Sequence, residues 1–122
     1  MVEAINNKNN DNCSTPSWIM LLFKDWFDPC PIEGSMGLTR TWNYRTYVNP
    51  PYSNPEPWVD KAISENKLGK TIVLLLKLDT STKWFFKLQE ANAHFMTFFG
   101  RLKFSNKGVA PFPSVLVILE GK

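Results

Sequence analysis

The amino-acid sequence predicts an α/β protein with a mainly parallel sheet and an antiparallel pair of strands at its C-terminal end. Strand-like and helical segments alternate along the chain, the order typical of parallel strands joined by crossover helices. Residues 71–78 form an almost continuous apolar run, as in strands covered on both faces. The last two strand-like runs, residues 95–99 and 115–119, have no helical pattern between them.

The composition indicates one globular domain that does not cross a membrane. The chain has 122 residues, of which 43% are hydrophobic and 20% charged, and a net charge of +3. Its longest uncharged apolar runs, residues 18–23 and 72–76, are far shorter than the roughly 20 residues of a membrane span. Asparagine crowds residues 1–13, for which we predict a disordered tail without the apolar core of a secretory signal. The domain is expected to cover residues 14–122.

Cysteine and histidine are too few for a structural zinc site. Cys13, Cys30 and His94 are the only such residues, and zinc needs about four ligands, so we expect no bound metal. We also expect no disulfide framework, which indicates a reducing cytoplasm.

The first half of the chain predicts a helix, a short strand, a loop and a second strand. Thr15 can cap a helix over residues 16–24, with Pro16 in its first position. This helix is apolar nearly all round, so we expect it to be buried. Trp26 and Phe27 form a short strand that ends at Asp28, and residues 31–44, without a clear period, form a loop.

The second half alternates helices and strands. Prolines at positions 55 and 57 predict the first turn of a helix, with Gly69 beyond its end. The apolar strand 71–78 follows, then a helix over about residues 81–91. Five aromatic residues of the second half are expected in the core: Trp84, Phe85, Phe95, Phe98 and Phe99.

Two prolines between an asparagine and a tyrosine follow the strand at residues 46–48. Proline fixes its own φ and has no N–H, so residues 49–52 predict a rigid, exposed corner. The Asn49 side-chain oxygen and the Pro50 carbonyl can then accept both hydrogens of one amino group, while Tyr52 offers its ring to a flat heterocycle. The plainer alternative is a proline-rich turn that joins a strand to a helix.

Such a pair of acceptors suits methylation of an exocyclic amine, such as adenine N6. The lone pair of that nitrogen is delocalised into the ring, which makes it a poor nucleophile. Acceptors that hold both N–H bonds favour a pyramidal nitrogen and stabilise the positive charge that grows on it. This chemistry needs no general base with a tuned pKa beforehand.

Several short motifs follow one another in a set order along about residues 14–119. They are Thr15-Pro16-Ser17-Trp18, Asp28-Pro29-Cys30, Asn49-Pro50-Pro51-Tyr52, Pro57-Trp58-Val59, Gly100-Arg101-Leu102-Lys103-Phe104 and Ala110-Pro111-Phe112-Pro113-Ser114. In this order they resemble the phage-type DNA N6-adenine methyltransferases, the small Dam-like enzymes of viruses and prophages. The asparagine motif alone also marks enzymes that methylate protein glutamine.

The resemblance implies a Rossmann-like methyltransferase fold, S-adenosylmethionine as cofactor and DNA as partner. Matching positions place the cofactor beside Thr15, Pro16, Trp18, Asp28, Pro29, Cys30 and Asn49. Asp28 would face the ammonium group of the cofactor, the alternative being a turn aspartate. The catalytic motif falls on Asn49, Pro50, Pro51 and Tyr52, and Tyr52 would stack on an adenine flipped out of the DNA.

The chain departs from the family in its cofactor region. Only 18 residues, 31–48, separate Cys30 from Asn49, too few for two further strands and a crossover helix. We therefore expect a truncated sheet with an exposed edge, which a second copy could pair with to form a homodimer. Gly34 and Gly37 are displaced from Asp28. Glu33 is a candidate ribose ligand, the alternative being a solvated loop charge.

Arg101, Lys103 and Lys107 are the candidates for contact with DNA phosphates, although they could form an ordinary solvated hairpin. Since the length leaves no room for a separate recognition domain, sequence specificity is expected to be short or weak. The sequence thus predicts a cytoplasmic adenine-specific DNA methyltransferase, in the host cell if viral. The alternatives are methylation of RNA or protein glutamine, or a non-catalytic remnant that binds nucleic acid.

Overall fold

A computed structural model of the chain describes residues 15–30, 36–104 and 108–122. The predicted tail, Glu33, Gly34 and Lys107 lie outside the described residues. The elements in chain order are α1 (Ser17–Leu22), α2 (Met36–Thr39), β1 (Arg45–Val48), α3 (Glu56–Lys67), β2 (Thr71–Lys77), α4 (Lys83–Glu90), β3 (His94–Thr97), β4 (Lys103–Phe104), β5 (Gly108–Val109) and β6 (Ser114–Leu119).

Four strands form one mixed sheet in the order β1-β2-β6-β3. The chain is therefore an α/β protein, and the predicted antiparallel pairing of the last two sheet strands is confirmed. The prediction of a mainly parallel sheet is wrong, because β6 lies between β2 and β3 and pairs antiparallel with both, leaving β1-β2 as the parallel pair. β1, β2 and β3 still run in the same direction, so their carboxyl ends share one edge of the sheet.

The predicted strand at Trp26 and Phe27 is reduced to a single parallel bridge, from Phe27 to Thr46 of β1. The Phe27 amide donates to the Arg45 carbonyl at 3.0 Å, and the Tyr47 amide donates to the Phe27 carbonyl at 2.8 Å. The bridge runs in the direction of β1. Asp28 therefore leaves the sheet at the same edge as the residue after β1, Asn49.

The sheet separates two apolar clusters, and β2 contributes to both. Ile72, Leu74 and Leu76 join a core with residues of α3 and α4, such as Ala62 and Leu88. Their alternating neighbours, Val73 and Leu75, pack on the other face with Ile19 of α1 and with Leu102, Ala110 and Phe112. Since both faces are covered, β2 carries an unbroken apolar run, as the sequence predicted.

The first helix differs from its prediction in position and in burial. α1 begins after Pro16, and no side chain caps it. Only Ile19 of its six residues is buried, because the helix presents a single stripe to the sheet. Four apolar side chains of α1 are exposed instead: Trp18, Met20, Leu21 and Leu22.

The predicted loop over residues 31–44 contains the short helix α2, which packs against the end of the first strand. The backbone at Gly37 lies so close to the Pro29 carbonyl and the Trp58 ring that a Cβ atom would collide with both. The Trp42 indole donates to the Gly37 carbonyl at 2.7 Å. Gly37 therefore serves a close approach between backbone segments.

The remaining elements follow the sequence closely. α3 ends before Gly69, whose φ of +97° suits glycine, and Thr82 caps α4 by accepting from the Phe85 amide. Trp84 and Phe85 are buried as predicted, and Phe95 and Phe98 are half-buried. Phe99 is fully exposed, so its prediction as a core residue is wrong. Within the described residues, no helix has the length and apolarity to span a membrane.

Candidate active site

The candidate site lies where two neighbouring parallel segments end. Asn49 follows β1, and Asp28 follows the bridge that Phe27 makes with β1. In open α/β sheets, ligands bind in a crevice outside the carboxyl ends of the strands. The structure thus brings together the predicted cofactor residue and the predicted catalytic motif, which are 21 positions apart in the sequence.

A partly buried hydrogen-bond network orients the Asn49 side chain. The Asn49 Nδ2 atom donates to the Thr15 hydroxyl at 3.2 Å, and that hydroxyl lies 3.2 Å from the Tyr47 Oη atom. Burial raises the pKa of the Tyr47 phenol despite the hydrogen bond with Thr15, so the phenol stays neutral at physiological pH. With its nitrogen turned toward Thr15, the Asn49 amide presents its oxygen on the other side.

The Asp28 carboxyl lies in a half-buried position where ionisation is costly. Burial raises its pKa from 3.8 to about 6, although the Cys30 amide donates to its Oδ1 atom at 3.1 Å and opposes the shift. None of the ion pairs among the described residues involves Asp28. A cation that entered the site would therefore stabilise the carboxylate form.

Tyr52 lies against Phe112, beside a cavity. The two rings meet edge to face with their centroids 4.8 Å apart, and burial raises the pKa of Tyr52 to about 12 although a hydrogen bond with Asn49 lowers it. A cavity of about 210 Å³ next to them is lined by Pro50, Tyr52, Ser53, Pro55, Leu76, Lys77, Asp79, Thr82 and Trp84. Tyr52 thus lines a space bounded by the residues that follow β1, the end of β2 and the start of α4.

The predicted exposure of the corner is wrong. Asn49 is only 2% exposed, Pro50 is also buried, and Pro51 and Tyr52 are half-buried. The reason is that Thr15 packs its hydroxyl over the asparagine while Tyr47 covers the same side from within β1. The local sequence of residues 49–52 does not show that the N-terminal segment lies over this corner.

The other predicted cofactor residues divide into two groups. Pro16 and Pro29 are buried near the site, next to Thr15 and Asp28 in sequence, whereas Trp18 is 48% exposed and packs edge-on against Phe98. Cys30 is buried and disulfide-bonded, so the expectation of no disulfide framework, from which a reducing cytoplasm was inferred, does not hold at this residue.

Arg101 and Lys103 are exposed and lie on or next to the two-stranded hairpin of β4 and β5. The base of this hairpin belongs to the same cluster as Tyr52, through the buried side chains of Leu102 and Ala110. Lys107, the third predicted phosphate contact, lies outside the described residues.

Two residues of the site were missed by sequence reasoning, Tyr47 and Phe112. Tyr47 lies two positions before Asn49, and residues i and i+2 of a strand point to the same face, so the alternation of β1 could have revealed it. Phe112 had no comparable local signal, because its contact with Tyr52 joins residues 60 positions apart.

Comparison with known proteins shows what the chain is similar to. The family model described as "DNA N-6-adenine-methyltransferase (Dam)" matches residues 32–113, more than half of the chain. A DNA N-6-adenine-methyltransferase of Haemophilus phage HP1 is 37% identical over 106 residues, which cover 70% of this chain and 61% of the relative. A protein of the same name from Escherichia phage T1 is 44% identical over 50 residues, 39% of this chain and 21% of the relative.

The chain spans about three fifths of the phage HP1 relative and about one fifth of the phage T1 relative. No solved structure matches it. The family match begins just after the Asp28-Pro29-Cys30 motif and includes the whole Asn-Pro-Pro-Tyr corner and the hairpin. On this match, the chain belongs to the DNA N-6-adenine-methyltransferase (Dam) family.

Proposed function

We propose that the protein is an S-adenosylmethionine-dependent methyltransferase that transfers a methyl group to N6 of adenine in DNA. The observation that carries this proposal is the position of Asn49 and Asp28 at one edge of the sheet, so that base acceptors and a cofactor contact can share a crevice. The names of the phage relatives support the same reaction. The common direction of β1, β2 and β3 supports a Rossmann-like fold.

The residues around Asp28 suit the cofactor. A half-buried carboxylate with a pKa of about 6 and no ion-pair partner among the described residues gains a counter-charge from an ammonium group such as that of S-adenosylmethionine. Thr15 and Pro16 would form one wall of this site, and Pro29 and Cys30 the other. When bound, S-adenosylmethionine supplies an electrophilic methyl group.

The corner would hold the target amine. The Asn49 side-chain oxygen and the Pro50 carbonyl accept its two hydrogens, which localises the lone pair on N6 and stabilises the positive charge that develops there. The contact with Thr15 orients the amide, because an asparagine whose nitrogen donates to a fixed acceptor has its oxygen direction fixed as well. Tyr52, steadied by Phe112, stacks on the base.

The cavity and the exposed basic residues would both contact DNA. The cavity beside Pro50 and Tyr52 would receive a flipped adenine, since a base inside a duplex cannot reach a buried asparagine. Arg101 and Lys103 are exposed and would contact phosphates, and we assign the same role to Lys107. The relatives' phage origin supports action in the cytoplasm of the host cell.

The outer edge at residues 26–28 supports a homodimer. Phe27 uses its backbone groups to bond β1 on one side, and edge backbone groups on the other side of such a segment can pair with another chain. Light scattering on the purified protein should then give a particle of twice the chain mass. A monomer at all concentrations tested would contradict this pairing.

Transfer of a labelled methyl group tests the proposed function. The protein is incubated with tritiated S-adenosylmethionine and separately with DNA, RNA or protein. We expect label in DNA as N6-methyladenine, loss of the label in Asn49→Ala, and wild-type activity in Asn43→Ala, which removes an exposed amide before β1. Label in RNA or protein glutamine would instead support the alternative substrates, and binding of DNA without any transfer would support a non-catalytic remnant.

A further inference from the structure

Phe99 is exposed to an unusual degree for an aromatic side chain. Its relative exposure is 106%, against 59% for Phe86, the exposed phenylalanine of α4. An apolar ring that leaves the protein surface completely gains nothing from its own fold, because burial is what makes an apolar group stabilising. The ring is therefore available to a partner with an apolar interior.

The tip that carries Phe99 is anchored on both sides. Phe98 is half-buried, meets Trp18 edge to face at 5.8 Å, and packs in the cluster that contains Tyr52. Leu102, three residues beyond Phe99, is 6% exposed, and its carbonyl accepts from the Ala110 amide at 2.8 Å. Gly100 has a φ of +70°, a conformation that turns the chain sharply between the anchors.

The tip lies on the same edge of the sheet as the candidate active site. β3 runs in the same direction as β1, so residues 98–101 leave β3 at the same edge of the sheet at which Asn49 leaves β1. The two strands are separated by three ladders, or roughly 14 Å at about 4.8 Å per ladder. The cluster that includes both Phe98 and Tyr52 places them on one face of the sheet.

Positively charged residues follow Phe99 closely in sequence. Arg101 and Lys103 are both exposed, and they lie two and four residues after Phe99. A tip that carries an exposed apolar ring and two exposed cationic side chains is complementary to a molecule with an anionic surface and a stacked apolar interior. Apolar side chains of this kind enter duplex DNA as wedges between base steps.

We propose that Phe99 enters the base stack of duplex DNA and fills the space that the target adenine leaves when it is flipped toward Tyr52. This inference rests on the proposed function. The flipped state loses the stacking of the extruded base, and an inserted phenyl ring replaces part of that contact. Phe99 is then a positioning residue that stabilises the extruded base without touching the reacting nitrogen.

The test compares a matched duplex with one in which a mismatched base faces the target adenine. A mismatch lowers the cost of extruding the base, so it should reduce the need for a wedge. We expect Phe99→Ala to lower kcat/KM by about tenfold or more on the matched duplex and by much less on the mismatched duplex. Phe99→Leu, which keeps an apolar wedge, should restore most of the rate.

A fluorescent base reports extrusion directly. With 2-aminopurine in place of the methylated adenine, wild-type protein should raise the fluorescence as the base unstacks, and Phe99→Ala should raise it far less. Phe86→Ala is the matched control, since it removes an exposed phenylalanine of α4, on the other face of the sheet. It should behave as wild type in both assays, and all variants should keep the wild-type melting temperature.

The outcomes separate this inference from the proposed function. Wild-type protein that methylates no DNA overturns the proposed function and this inference with it. Active wild-type protein whose Phe99→Ala variant is equally active on the matched duplex overturns the wedge alone. An equal loss of kcat/KM on matched and mismatched duplexes also overturns the wedge. So does a Phe99→Ala variant whose loss of activity is accounted for by dissociation of a dimer.

Discussion

At the scale of single residues, Thr15 has a different role from the one its sequence position suggests. Threonine before proline is typical of a helix start, yet Pro16 is the residue that precedes α1, with an extended backbone at φ −55° and ψ 142°. Thr15 therefore lies one position too early to reach the amides of the first turn. Its hydroxyl instead joins Tyr47 and Asn49, which are 32 and 34 positions away.

Removing this hydroxyl should disturb the site more than the fold. Thr15→Val keeps the shape but deprives buried Asn49 and Tyr47 of a hydrogen-bonding atom, so we expect the free energy of unfolding to fall by about 1–3 kcal/mol. The rate of methyl transfer should fall further, because the Asn49 amide loses its orientation. Thr15→Ser keeps the hydroxyl and should restore the rate. Chemical denaturation and the labelled-methyl assay measure both effects, and an unchanged rate in Thr15→Val would refute the role of the hydroxyl.

The half-buried Asp28 carboxylate should lower the stability of the folded protein at neutral pH and strengthen its binding of the cofactor. Since burial raises its folded pKa from 3.8 to about 6, the folded protein binds this proton more tightly than the unfolded chain. The contribution of Asp28 to stability is therefore most favourable below about pH 3.8 and is lost as the pH rises through 6. Asp28→Asn removes the buried charge at pH 7.5 and should raise the free energy of unfolding by about 1–2 kcal/mol after solvent screening.

Affinity for S-adenosylmethionine should respond to pH and to Asp28→Asn in the opposite direction from the free energy of unfolding. In the wild type, affinity for S-adenosylmethionine should weaken as the pH falls below 6, where the carboxylate takes up a proton. Asp28→Asn should bind weakly at every pH, because it has no charge for the ammonium group. Thermal unfolding and binding titrations across this pH range check both effects. A variant that is less stable than wild type at pH 7.5 would contradict the cost of the buried charge.

At the scale of elements, local sequence patterns predicted the individual strands and helices whose formation depends on neighbouring residues. Residues 71–77 form a strand because both faces are covered, and Trp84, Phe85 and Leu88 fix α4 by their common face. The order of the sheet could not be predicted in the same way, since the insertion of β6 between β2 and β3 depends on pairings between distant residues. The exposure of α1 and of Phe99 could not be predicted for a related reason. An apolar sequence does not show which of its side chains pack against another part of the protein.

Gly37 couples α2 to the segment that carries Asp28. Gly37→Ala would place a Cβ atom against the Pro29 carbonyl and the Trp58 ring, and overpacking of this kind costs about 1–3 kcal/mol. We expect a lower urea midpoint and weaker cofactor binding, because Pro29 adjoins Asp28. Gly100→Ala is the control: the space around Gly100 is open, so its cost comes from backbone conformation and should leave cofactor affinity unchanged. Normal stability in Gly37→Ala would contradict the close contact.

At the scale of the whole molecule, the candidate site is built from segments that are distant in sequence. The carboxyl edge of one small sheet gathers Asp28, the Asn49–Tyr52 corner and the ends of β2 and β3, while Thr15 approaches from outside the sheet. The sequence contained the Asn-Pro-Pro-Tyr motif and its family resemblance. It did not show that the corner is covered by Thr15 and Tyr47, since that cover arises only when the N-terminal segment packs on the sheet.

The most direct test of the account is a calorimetric titration of the wild-type protein with S-adenosylmethionine at pH 7.5. Every version of the proposed reaction requires a cofactor site at the edge that Asp28 and Asn49 share. We predict saturable binding of one cofactor per chain. The absence of saturable heat from a folded protein, up to the highest cofactor concentration that dissolves, would contradict it.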